Sequence, residues 1–180
     1  MRRPILAACA LVAALGAFTA ARADHASAAC TSCADHQYWP QIDGFLLIQR
    51  FAGDANFFGT SRSDELLGHH GSDTLRGGGG SDVLWGDYDP SNQPTTQHDT
   101  IDGGDGTDFI YGSHGTNTIY AGPGNDAISV HYGAGLVDCG PGRDIYHVAR
   151  SRAHLYRFVN CEKVDYRPEK VRGHGLKPLP

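Results

Sequence analysis

From Gly59 to His147 the chain places one large apolar side chain every nine residues: Leu66, Leu75, Leu84, Ile101, Ile110, Ile119, Ile128 and Val137, closed by Tyr146. Small and polar residues fill the intervals. A spacing of nine matches neither the 3.6-residue period of a helix nor the alternation of an ordinary strand. It is the period of a stacked structural repeat, in which no unit buries its own apolar residue without its neighbours. Only two other stretches are densely apolar. Ile5 to Phe18 is a run near the N-terminus, and Phe45-Leu46-Leu47-Ile48 reads as a buried strand.

Two further columns keep the same register. Written in nines, the units are GTSRSDELL from Gly59, GHHGSDTLR from Gly68 and GGGGSDVLW from Gly77. A longer fourth unit from Gly86 to Asp102 carries eight extra residues. Phase resumes with GGDGTDFIY, GSHGTNTIY, AGPGNDAIS, VHYGAGLVD and CGPGRDIYH. Position 6 is Asp64, Asp73, Asp82, Asp99, Asp108, Asp126 and Asp144, interrupted by Asn117 and Gly135. Position 4 is glycine in seven units, Gly80, Gly106, Gly124 and Gly142 among them. A flexible glycine-rich linker has no reason to hold three columns in step.

These residues match the pattern GGxGxDxUx, and the chain resembles the haemolysin-type calcium-binding (RTX) nonapeptide-repeat proteins. The resemblance implies an all-β fold, a parallel β-roll with two units per turn, each a glycine-rich turn followed by a three-residue strand. It also implies several calcium ions, held between turns by position-6 aspartates and by loop carbonyls. The corresponding residues are Asp64, Asp82, Asp108, Asp126 and Asp144 with Gly78, Gly80, Gly104, Gly106, Gly122, Gly124, Gly140 and Gly142 on one edge. Asp73 and Asp99 on the other edge are expected to hold at most one or two weaker ions. Carboxylates stacked about 4.8 Å apart repel, and a hard cation with oxygen ligands cancels the repulsion. The metal-free chain is therefore expected to be loose, and acid, by protonating the aspartates, to act like a chelator.

Charge supports cationic ligands. Residues 59–147 hold 13 acidic side chains against 3 arginines, and 19 of the 24 glycines lie in the same span. Such an acidic body argues against nucleic acid as a partner. The even-numbered units differ at position 3, with His70, Tyr88, His114 and Tyr132, and with His69 and His131 beside them. Stacked rings filling the edge are the simpler expectation, and an imidazole site for zinc or copper is the other. On odd-numbered strands the outward positions are apolar and aromatic, including Trp85, Phe109 and Tyr111. Flanking segments are expected to cover them, and a protein or surface-polymer partner is the alternative.

Arg2 and Arg3 before the apolar run, and Ala21-Arg22-Ala23 after it, read residues 1–23 as a secretory signal peptide. No other segment suits a membrane span, and the expected location is extracellular. Export leaves Cys30, Cys33, Cys139 and Cys161, an even set that reads as two disulfides; Cys30–Cys33 with Cys139–Cys161 is the favoured pairing. Residues 24–58 are expected to form an N-terminal cap, 148–165 a C-terminal cap, and 166–180 a disordered basic tail. The insertion within Asp89 to Gln97 reads as a protruding polar loop. No HExxH, GxSxG or GxxxxGK motif is present. The expected function is thus a non-enzymatic calcium-binding module. A hydrolase built on a pair such as His98–Asp99 is the remote alternative.

Overall fold

The computed structural model of the chain describes residues 39–89 and 94–166. The expected signal peptide, the expected Cys30–Cys33 disulfide and residues 167–180 of the expected basic tail lie outside these residues. In chain order the strands are β1 (Leu46–Ile48), β2 (Asn56–Phe58), β3 (Glu65–Leu67), β4 (Thr74–Gly79), β5 (Val83–Trp85), β6 (His98–Asp105) and β7 (Phe109–Tyr111). They continue as β8 (Thr116–Tyr120), β9 (Ala127–Ser129), β10 (Ala134–Asp138), β11 (Ile145–His147), β12 (Tyr156–Val159) and β13 (Lys163–Asp165), with a 3₁₀ turn at Ala153–Leu155 before β12. Odd-numbered strands form one parallel sheet and even-numbered strands the other, each stacked in chain order. The fold is an all-β parallel solenoid, consistent with a β-roll.

Register follows the apolar column. Leu66 pairs with Leu84, Leu84 with Ile110, and Ile110 with Ile128. Across the coil, Leu75 pairs with Ile101, Ile101 with Ile119, and Ile119 with Val137. The eight extra residues of the fourth unit leave this pairing undisturbed, because they are accommodated before β6. All of these side chains are fully buried between the two sheets. A second inward column emerges at position 1. In the upper turns Ala121, Val130, Cys139 and Val148 replace the glycines found below, and all four are fully buried in the same core. The core is one or two side chains thick, so stability has to come from stacking along the axis.

In the described part of residues 24–58, β1 and β2 extend the coil by one turn below the first repeats. Leu47 of β1 pairs with Leu66, and Phe57 of β2 pairs with Leu75. The turns before them lack the glycine-rich consensus, yet the Phe45 and Ala55 amides donate to Asp64 and Asp73 as a repeat would. Residues 148–165 do the same at the other end, where Phe158 pairs with Val137 and Val164 with Tyr146. The Cys139–Cys161 disulfide clips this last turn, with Cα atoms 5.1 Å apart.

The apolar outer face of the odd-numbered sheet is covered. Trp39 and Ile42 pack on Val83, Phe109, Tyr111 and Ile145, and the Trp39 indole donates to the Tyr111 hydroxyl at 2.9 Å. Phe109 and Tyr111 are only 2% and 6% exposed. Burial removes both from the aromatic surface expected for a protein or polymer partner; Trp85 alone stays half-buried, stacked on Tyr111. The opposite sheet carries Thr74, Arg76, Thr100, Asp102 and Thr118 outward and needs no cover.

Replacing both Cys139 and Cys161 by serine should free the last turn and lower unfolding stability by about 3 kcal/mol, the loop-entropy scale for a closure of this size. Chemical denaturation of the calcium-loaded protein measures it. An unchanged midpoint would show that the last turn is held by packing alone.

Candidate functional site

The turns that precede odd-numbered strands stack along one edge, and their position-6 aspartates form a continuous ladder. The backbone N–H groups of Asp64, Asp82, Asp108 and Asp126 each donate to Oδ1 of the aspartate one turn further on, at 2.7 to 2.9 Å. Phe45 N–H starts the ladder on Asp64, and Glu162 ends it by accepting the Asp144 N–H at 2.9 Å. Every one of these aspartates is fully buried.

The second oxygens are the informative atoms. Oδ2 of Asp82, Asp108, Asp126 and Asp144 is buried and has no hydrogen-bond partner. A buried polar atom left without a donor costs about 1–3 kcal/mol, more when charged. Asp64 differs. Its Oδ2 accepts the Thr60 amide at 2.6 Å and the Thr60 hydroxyl at 3.0 Å, because Thr60 stands where later turns have glycine.

Glycine leaves the space around these oxygens open. A Cβ on Gly77 would fall on both Asp82 Oδ2 and the Gly103 carbonyl; one on Gly103 would fall on the Ala121 carbonyl and 2.6 Å from Asp108 Oδ2. Gly78, Gly104, Gly122 and Gly140 have φ between +84° and +104°, conformations that L side chains rarely adopt. Gly80 and Gly106 also have positive φ, whereas Gly124 and Gly142 pair with each other in a bridge between turns. All eight predicted glycines therefore lie in the same stacked turns as the ladder. The donor set is all oxygen, carboxylate plus carbonyl, which suits a hard divalent cation such as calcium. On the four orphaned carboxylate oxygens, the residues fit that ion.

The other edge is built differently. Asp73 Oδ1 accepts the Ala55 amide at 2.7 Å and Asp99 Oδ1 the Asp73 amide at 2.8 Å, continuing a short ladder. Their second oxygens already have donors, the His69 amide for Asp73 and the Ser113 hydroxyl for Asp99. Above them Asn117 bonds to Ser113, and its amide donates to the Tyr156 hydroxyl at 3.0 Å. Tyr156, sitting against Gly135, in turn donates to the Tyr132 carbonyl at 2.6 Å. Protein groups occupy the places that carboxylates hold on the first edge. The expected ring packing is present too: His114 stacks on Tyr132 with centroids 4.3 Å apart. His98 is exposed while Asp99 is buried and bonded to Asp73 and Ser113, so the two do not form a catalytic pair.

Three site residues were not singled out beforehand. Glu162 completes the ladder, and its signal is its place next to Cys161. Asp87 and Gln97 flank the insertion and are both 4% exposed, with Gln97 Nε2 donating to Asp87 at 3.2 Å. The described end of the insertion, at Gln97, is thus a buried anchor.

Burial pushes the ladder carboxyls upward, aided by their neighbours: Asp82 and Asp108 to about 7, Asp126 to about 8, Asp144 to about 6. On the other edge Asp73 rises to about 7 and Asp99 to about 6, again chiefly through burial. A carboxyl whose folded value exceeds its unfolded value contributes stability below about 4, and that contribution disappears as pH rises through the folded value. Acid therefore neutralises the repulsion within a metal-free coil, while in a calcium-loaded coil the same protonation competes with the ion for the carboxylates.

A family model for the RTX calcium-binding nonapeptide repeat matches residues 52–87 and 95–128, in four copies. No curated protein and no solved structure matches the chain. Among the described residues, no helix is long and apolar enough to cross a membrane.

Two outcomes follow from this edge. Metal-free protein should lose thermal stability between pH 4.5 and 8, while calcium-loaded protein should gain it, as read by melting curves across that range; parallel curves would contradict the burial of the carboxylates. Gly104→Ala, with its positive φ and its Cβ on the Gly78 carbonyl, should cost at least about 2 kcal/mol. Gly79→Ala, whose Cβ meets nothing nearer than 3.7 Å, should be close to neutral in the same denaturation assay.

Proposed function

Because the chain carries RTX calcium-binding nonapeptide repeats, we propose that it is an exported calcium-binding module whose β-roll is completed by calcium along the odd-numbered edge. One observation carries the reading: four buried carboxylate oxygens, on Asp82, Asp108, Asp126 and Asp144, have no protein donor in otherwise well-bonded turns. Bound calcium supplies the positive charge and ligation that let these groups ionise inside the coil. The turns do the rest. Oδ1 of each aspartate holds the preceding turn at its amide, so Oδ2 is presented at a fixed depth, and the glycines leave room beside it.

Asp64 contributes less than the other four, since Thr60 already satisfies it. Asp73 and Asp99 likewise have donors on both oxygens and act mainly as structural acceptors. Ligand sets drawn from adjacent turns couple each ion to the folding of its neighbours, so binding is cooperative and binding energy becomes folding energy. Export into surroundings rich in calcium would then switch the module on. The affinity expected of extracellular modules is about 10⁻⁴–10⁻³ M. Its role is that of a structural or interaction module, without catalysis.

Isothermal titration with calcium tests the asymmetry. Asp108→Asn keeps the Oδ1 acceptor and removes only the charged Oδ2; it should bind at least one ion fewer or weaken binding about tenfold. Asp73→Asn should bind nearly as wild type. Equal losses in the two variants would refute the odd-edge reading.

A further inference from the structure

The repeat breaks in two places that meet in space. In the second unit, Gly68-His69-His70-Gly71 puts imidazoles at positions 2 and 3, where no odd turn has histidine, and one turn further on the fourth unit brings Asp87, Tyr88 and, at the start of its insertion, Asp89. One ligand atom from each of His69, His70 and Asp89 lies within 4.8 Å of the others. His69 Nε2 is 3.2 Å from Asp89, and the rings of His69 and His70 meet edge to face with centroids 4.5 Å apart. Tyr88 packs edge-on against His69 from the other side.

From this cluster we propose a transition-metal site, for an ion of the zinc class, on the even-numbered edge, with His69, His70 and Asp89 as ligands and Asp87 as the residue that orients His70. The independent support is Asp87. Its side chain is fully buried, its Oδ2 lies 3.1 Å from His70 Nδ1, and its Oδ1 has no partner. An ionised carboxylate only accepts, so a neutral His70 carries its proton on Nδ1 and keeps Nε2 as its ligand atom. This is the arrangement in which a carboxylate fixes the tautomer of a metal-binding histidine. Gln97 Nε2 holds the same carboxylate from the insertion's far end.

Two imidazoles and one carboxylate favour zinc-like ions over calcium, which prefers oxygen alone, and three protein ligands leave a fourth position for water. His69 must be adjusted. Its Nδ1 accepts the His70 amide at 2.7 Å, which places the proton on Nε2 beside Asp89. Taking a metal at Nε2 moves that proton to Nδ1 and gives up the amide bond, a cost the metal–nitrogen bond has to exceed. Nothing in this site draws on the odd-edge carboxylates, so it stands or falls independently of calcium.

The test is titration of the full chain, held in saturating calcium, with zinc sulphate by calorimetry and with cobalt(II) by visible absorption. Wild type should take up one equivalent of zinc, and the cobalt derivative should show the d–d bands of nitrogen and oxygen ligation. His70→Gln should weaken zinc at least tenfold, and Asp89→Asn, at a half-exposed position where folding is not at risk, should also weaken it. No stoichiometric zinc uptake by wild type, or uptake unchanged in both variants, would overturn the assignment. In the second case the ion would be held elsewhere on the chain.

Discussion

A buried aspartate with only one of its two oxygens satisfied is the constraint on which this molecule is organised. At a rung spacing of about 4.8 Å, carboxylates on successive turns lie close enough to repel strongly once desolvated. The fold uses one oxygen of each as the acceptor for its neighbour's amide, so the ladder is part of the backbone bonding and cannot simply be pushed into solvent. The remaining oxygen then has two ways to be satisfied: a proton, as burial favours, or a cation. Glycines at positive φ keep the second way open, because any side chain there would strike the turn below.

The thin core explains why the edge matters so much. Each turn buries one aliphatic per unit, with small residues at position 1 joining it only in the upper coil. In a solenoid of this kind each rung is supported by its neighbours, so a gap in one edge weakens every rung beyond it. The two edges meet this demand differently. Along the odd edge the chain leaves oxygens without protein donors. Along the even edge Ser, Asn and Tyr side chains close the gaps, from Ser113 on Asp99 to the Tyr156 hydroxyl between Asn117 and Tyr132. The disulfide at Cys139–Cys161 secures the last turn and holds Glu162 where the ladder ends.

Much of this was legible in the residues because the repeat is strict. A period of nine placed Leu66 through Val137 in one buried column and located all seven position-6 aspartates in stacked turns. The asymmetry of the edges was also readable, since Asn117 and Gly135 interrupt only the even series. What escaped was long-range or degenerate. Leu47 and Phe57 continue the coil without its consensus, because backbone pairing and an amide for Asp64 or Asp73 are all that a terminal rung requires. Thr60, one residue from consensus, removes Asp64 from the orphaned set. Trp39 reaches Tyr111 across 72 positions, and no local pattern announces that contact. Asp87 and Gln97 sit at the ends of an insertion, where composition alone read only a polar loop.

Calcium-coupled folding is the central claim, and a far-UV circular dichroism titration of metal-free protein at neutral pH tests it most directly, with magnesium as the control. A cooperative gain of β signal with calcium, and none with magnesium, is the result expected from ionised orphaned oxygens that a large hard cation satisfies. A full β signal in the metal-free protein, unchanged by calcium, would mean that the disulfide, the apolar column and protonated aspartates hold the coil by themselves, and the account would be contradicted.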